Sequence, residues 1–160
     1  LLPDDLMAGT PGCLAQMVAA YNKVGGNIVC AQEVPRDRTA SYGIVSPGAQ
    51  EGRLTEVKGL VEKPSPEGAP STLGVVGRYI LQPEIMAILG SLGKGAGGEI
   101  QLTDGMAALI GTQPFHALTF DGARHDCGDK IGFVIANLAL ALGRDDLAPA
   151  VRAWLAEPRP

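Results

Sequence analysis

An acid, a base and a proline stand in a row at Glu62-Lys63-Pro64, directly after the apolar pair Leu60-Val61. Proline cannot donate to a strand ladder and holds the residue before it extended. The run therefore reads as a strand that ends at two charges. Ligands of open α/β sheets bind beyond strand ends. A carboxylate there accepts sugar hydroxyls, and an ammonium holds a phosphate. The plainer alternative is an edge strand ending in two solvated charges. Adjacent strand residues point to opposite faces, so Glu62 and Lys63 can share a ligand only if the strand twists or ends at that point.

Two aspartates extend the chemistry. Asp4 follows Leu1-Leu2-Pro3, and Asp126 lies in His125-Asp126-Cys127-Gly128, between a strand pattern and the helix pattern that starts near Ile131. A carboxylate at a strand end suits a divalent metal that also binds phosphate oxygens. Two such carboxylates brought together could hold one Mg2+, which prefers oxygen ligands and keeps several waters. Each aspartate could instead serve as a turn residue or helix N-cap, with Asp5 the better cap of its pair. His125 and Cys127 lack the further soft ligands of a zinc site and the paired base of a nucleophile. Gly43 and Gly77 interrupt strand patterns, which marks either the close approach of a ligand or backbone, or a bulge. Glu99-Ile100-Gln101-Leu102-Thr103-Asp104 opens a helix capped at Thr103 or the residue before it.

These residues need a scaffold. Leu14, Met17, Val18 and Tyr21 are spaced for one helix face, and Gly25-Gly26 end that helix. Strands are expected at 27–34, at 42–45 before a Pro47-Gly48 turn, at 54–63, at 73–81 and at 115–120. Residues 64–71 read as an exposed loop, and the glycine-rich stretch 90–98 as mobile. Further helices follow Pro83, which suits the first helical position, and run through Leu102–Ile110, Ile131–Leu138 and Leu147–Leu155. The apolar faces of the last two are expected in the core, with Trp154 packing the final helix down. Strands and helices mix without a strict βαβ rhythm, which implies a mixed sheet with some antiparallel pairs, covered by helices. No linker divides residues 1–160. Leu1-Leu2 reads as the end of a buried strand, so residues ahead of Leu1 are expected.

With 46% hydrophobic and 19% charged residues, the 160-residue chain can bury a real core. A net charge of −4 and the absence of a like-charge run argue against nucleic-acid binding. No apolar stretch reaches the ~20 residues of a membrane helix. Cys13, Cys30 and Cys127 are odd in number and widely spaced, so neither a disulfide framework nor a zinc site is indicated, and a reducing cytoplasm fits.

Taken together, Leu2-Pro3-Asp4, Ser41-Tyr42-Gly43-Ile44-Val45, Val61-Glu62-Lys63-Pro64, Val76-Gly77-Arg78-Tyr79-Ile80-Leu81, Gly98–Asp104 and His125–Gly128 closely resemble, in order and spacing, the bacterial UTP–glucose-1-phosphate uridylyltransferases, or UDP-glucose pyrophosphorylases. The thymidylyl branch typically has Trp-Leu-Asp-Thr-Gly at the last motif. The resemblance implies a Rossmann-like nucleotidyltransferase α/β fold, a mixed sheet flanked by helices and incomplete at its N-terminus. It also implies UTP and glucose 1-phosphate as substrates, in-line attack without a covalent intermediate, Mg2+, and a homo-oligomer at full length. By motif position, Asp4 and Asp126 hold the metal, Glu62 the glucose hydroxyls and Lys63 the sugar phosphate, while the backbone near Gly43 and Gly77 meets the sugar. Lys63, Asp4 and Asp126 are then the catalytic set. Members also carry a glycine-rich, basic phosphate loop ahead of the Leu-Pro-Asp motif. Nothing here matches it, so the chain alone is expected not to catalyse. The alternatives are transfer of another nucleotide and a non-catalytic sugar-phosphate-binding module.

Overall fold

The computed structural model describes residues 1–94 and 98–157. In chain order it contains β1 (Asp5–Ala8), α1 (Cys13–Val24), β2 (Asn27–Glu33), a 3-10 helix (Arg36–Ser41), β3 (Gly43–Glu51), β4 (Leu54–Glu62) and β5 (Leu73–Ile80). There follow α2 (Glu84–Ser91), α3 (Leu102–Leu109), β6 (Phe115–Thr119), β7 (Ala123–Asp126), α4 (Lys130–Leu142) and α5 (Ala148–Ala156).

The expected mixed sheet is present, and it closes on itself in the order β2-β5-β3-β4-β6. The β2–β6 pair is parallel and the other pairs are antiparallel. Val29, Ala31, Val45, Val75 and Ala117 fill one core with Met106 and Leu109 of α3 and Ile85 of α2. A second core joins Cys13, Met17 and Ala20 of α1 to Ile28, Cys30, Val76 and Leu118.

Several elements depart from the sequence expectations. Leu1 and Leu2 are exposed and lie outside any strand. The strand begins after them, at Asp5, and pairs antiparallel with β7, so that Asp5 faces Asp126. Pro47-Gly48 does not turn β3 back. The ladder slips register on either side of Pro47 and continues to Glu51, because a bulge tolerates a residue with no N–H. The chain reverses instead at Gly52, whose φ of 58° a side chain would resist. In α1 the buried face runs through Cys13, Met17 and Ala20, leaving Leu14 and Val18 exposed. Pro83 is the N-cap of α2 rather than its first helical residue, so that helix starts one residue later than expected, whereas Gln101 caps α3 ahead of the expected Leu102 or Thr103.

The largest departure is at the C-terminal end. Ile131, Val134 and Ile135 of α4 are at least half exposed, and only Ala136 of that helix is buried. α5 has no buried residue, and Trp154 is 55% exposed. A helical stripe shows which residues share a face, but not whether another element covers that face. The expected mobility of 90–98 falls partly on 95–97, outside the described residues.

Candidate active site

Strand ends converge on a cavity of about 370 Å3, walled by the N-terminal segment, the end of β4, the start of α3 and the end of β7. Glu62 is the last residue of β4, and Gly43, the first of β3, is its register partner. Lys63 then adopts a left-handed backbone with φ 45°, while its N–H donates to the Tyr42 carbonyl at 3.0 Å. That reversal removes the difficulty of two adjacent strand residues facing opposite ways. Both side chains line the cavity, with Lys63 Nζ 3.7 Å from Glu62 Oε1. Glu62 is largely sheltered at 14% exposure, and Lys63 is open at 56%.

Asp4 and Asp126 line the same cavity. The Cys127 N–H donates to the Asp4 carbonyl at 2.7 Å, which ties the N-terminal segment to the loop after β7. The Gly128 N–H donates to Asp126 Oδ1 at 3.0 Å. A Cβ on Gly128 would stand 3.1 Å from both Asp126 Oδ1 and Asp4 Oδ2, so a glycine leaves the space between the two carboxylates open. The helix cap that was an alternative for Asp126 is supplied by Asp129, which accepts from the Gly132 N–H at 2.7 Å. Among the described residues no group of three His, Cys, Asp or Glu could hold a metal, which leaves His125 and Cys127 out of any such cluster.

The structure adds residues that sequence reasoning missed. Asp5 is not a helix cap. It is 5% exposed, accepts from the Gly77 N–H at 2.9 Å and from Arg124 Nε at 2.5 Å, and so joins β1, β5 and β7. Arg124, whose side chain is 9% exposed, also donates to the Tyr42 hydroxyl at 3.3 Å and reaches Asp126 Oδ2 at 3.5 Å. Its guanidinium lies 5.5 Å over the Tyr42 ring. Burial by itself would pull this guanidinium down, but the Tyr42 hydroxyl and Asp5 outweigh it and hold it above its ordinary value. Burial, with Asp5 and Glu62 nearby, pushes the Tyr79 phenol up. Asp5 is thus engaged by Arg124 and the Gly77 N–H, whereas Asp4 and Asp126 stand on either side of Gly128.

The two glycines differ. A Cβ on Gly43 would meet Thr103 Oγ1 at 3.1 Å and Glu62 Oε2 at 3.3 Å, so Gly43 lets α3 close onto the strand end. At Gly77 the close neighbours are the chain's own, with Leu2 Cβ at 2.6 Å and Asp5 Oδ2 at 2.7 Å from a built Cβ. Its N–H is held by Asp5 and its carbonyl accepts from the Leu2 N–H at 2.9 Å. The signal for Asp5 lay in that glycine, since a buried strand glycine implies something pressed against it.

Residues 1–142 match the family model described as nucleotidyl transferase. The chain belongs to this family. It is 50% identical over 155 residues to a UTP–glucose-1-phosphate uridylyltransferase of Komagataeibacter xylinus, and 39% identical to one of Bacillus subtilis. Each alignment covers 97% of this chain and 52% of the relative, so the chain spans about half the length of the curated relatives it matches. Among solved structures, a UDP-glucose pyrophosphorylase complexed with UDP-glucose superposes with a TM-score of 0.86 at 38% identity, over 90% of this chain and 56% of that one. The UTP-bound enzyme of Acinetobacter baumannii gives 0.84 at 33% identity, over 99% and 55%.

Proposed function

We propose that this nucleotidyl transferase chain is the sugar-phosphate- and metal-binding part of a UTP–glucose-1-phosphate uridylyltransferase, within a single nucleotidyltransferase domain. The observation that carries the reading is one cavity bounded by Glu62 and Lys63 at a strand end and by Asp4 and Asp126 around Gly128. In this reading Glu62 accepts glucose hydroxyls from a sheltered position, and the backbones of Gly43 and Gly77 form the wall beside them. Lys63 holds the sugar phosphate by charge. The phosphate oxygen attacks the α-phosphorus of UTP in line, the bond to pyrophosphate breaks, and UDP-glucose forms without a covalent intermediate. The chain therefore works by positioning and charge neutralisation.

Asp4 and Asp126 fit Mg2+ by donor chemistry, since two carboxylates suffice for an ion completed by phosphate oxygens and water. When bound, the ion would neutralise charge on the phosphates. Arg124 holds Asp126 Oδ2 while Gly128 holds Oδ1, so both oxygens are oriented before any cation arrives. The same reading places the protein in the cytoplasm, assembled as a homo-oligomer, with the exposed face of α4 as an available surface. No helix among the described residues is long and apolar enough to cross a membrane.

Calorimetric titration with glucose 1-phosphate tests the site. Saturable binding that is lost in Glu62→Ala is expected, and no binding by the unaltered chain would overturn the reading. A coupled pyrophosphate-release assay with each nucleoside triphosphate in turn tests the base. The 160 residues by themselves are expected to release none, and release with UTP would show a nucleotide site that this cavity does not account for.

A further inference from the structure

The cations of the cavity are unequally committed. Arg124 is buried against Asp5, and Lys63 stands beside Glu62. Arg38 lines the same cavity, yet among the described residues its guanidinium makes no hydrogen bond and no ion pair. It also lines an adjoining cavity of about 370 Å3, which shares Tyr42, Arg124 and Asp126 with the first, so Arg38 stands on the wall between the two.

The backbone that presents Arg38 is pinned. It belongs to the 3-10 helix, and Arg36, two residues earlier, donates to the carbonyls of Ala69 at 2.9 Å and Ser71 at 3.3 Å. Thr39, the next residue, is fully buried, and its hydroxyl lies 3.0 Å from the Arg36 carbonyl and 3.5 Å from that of Pro64. Tyr42, just past the helix, accepts from the Lys63 N–H. The helix is thus fastened to the strand end on which Glu62 and Lys63 sit. A fixed backbone carrying an unspent guanidinium on a cavity wall is arranged for an anion from outside the chain. The planar fork matches phosphate oxygens two at a time, which an ammonium cannot do.

We propose that Arg38 is a second phosphate-binding residue of this site, acting with Lys63 on the phosphate of the sugar phosphate. The proposal rests on the sugar-phosphate reading above. Lys63 supplies a point charge from the strand end, and Arg38 supplies directed donors from the 3-10 helix that lines the same cavity. Arg38 is exposed, so its replacement should leave the fold intact.

The test is calorimetric titration of the chain with glucose 1-phosphate and with glucose, in the unaltered protein and in Arg38→Ala, Arg38→Lys and Lys63→Ala. Arg38→Ala should weaken glucose 1-phosphate binding by about tenfold or more, the scale of one charge-assisted hydrogen bond. Arg38→Lys should recover part of the loss, and affinity for glucose should not change. The salt dependence of glucose 1-phosphate binding should also be shallower in Arg38→Ala. Unchanged glucose 1-phosphate affinity in Arg38→Ala, with a loss in Lys63→Ala, would overturn the proposal and leave the sugar-phosphate site standing. Equal losses for glucose and glucose 1-phosphate in Arg38→Ala would show a structural effect and overturn it too. Failure of the unaltered chain to bind glucose 1-phosphate would remove the site itself, and the proposal with it.

Discussion

Replacing Lys63 separates the shape of the strand end from its charge. Among the described residues, Lys63 is the one non-glycine residue with a positive φ, at 45°, and it precedes Pro64, whose ring disfavours helical conformations ahead of it. A side chain in the left-handed region costs about 1–2 kcal/mol. Glycine avoids that cost but loses about 0.5–1 kcal/mol more conformational freedom on folding. Lys63→Gly should therefore be about 0.5–1 kcal/mol more stable than Lys63→Ala, which keeps the strain. In a domain of this size ~1 kcal/mol moves Tm by about 2–4 °C, so the glycine variant should melt about 1–4 °C higher in calorimetric scans. Both variants lack the ammonium, so loss of its exposed contact with Glu62 cancels in the comparison. Both should also lose glucose 1-phosphate affinity alike. A glycine variant that melts below the alanine variant would refute the claim that strain at Lys63 brings two neighbouring side chains to one cavity.

Asp5→Ala leaves the buried Arg124 guanidinium only its longer contact with Asp126, and urea unfolding should show a loss of about 3 kcal/mol, the lower end for a broken buried pair. Asp5→Leu combined with Arg124→Met should be less destabilised than either single change, whereas simple additivity would show that the two do not act as a pair. Gly128→Ala puts a methyl 3.1 Å from Asp4 Oδ2 and Asp126 Oδ1, so Mn2+ affinity, read from the resonance signal of the free ion, should fall about tenfold at nearly unchanged stability. Unchanged affinity would mean that the carboxylates do not share an ion. Burial raises the Cys13 and Cys30 thiols above 9.0 and the Tyr79 phenol above 10.0. A raised folded pKa contributes stability that is full below the unfolded value and lost as pH rises through the folded one. Tm should accordingly decline from about pH 9 upward, and a Cys13→Ala, Cys30→Ala variant should decline less steeply. A flat profile would contradict the burial of these groups.

Local sequence signals carried much of the site. The Glu-Lys-Pro run marked the strand end because proline acts on its immediate neighbour, and Asp4, Asp126, Gly43 and Gly77 were legible as breaks in apolar patterns. Glu62, Lys63, Asp4, Asp126, Gly43 and Gly77 all line the cavity. What escaped depended on distant partners. Asp5 looks like a cap in isolation and becomes a buried ion-pair residue only because β7 brings Arg124 beside it, 119 positions away. Arg38 and Tyr42 enter the site through a 3-10 helix that has no periodic signature. The expected burial of Ile131, Val134 and Ile135 failed for the same reason. A helical stripe records which residues align, and coverage depends on what packs against them.

The most direct test of the site is a crystal structure of the chain with glucose 1-phosphate and Mn2+, using the anomalous signal of the metal. A manganese peak between Asp4 and Asp126, sugar hydroxyls on Glu62 and the phosphate on Lys63 are expected. A sugar phosphate bound elsewhere, or a metal held by other residues, would contradict this reading.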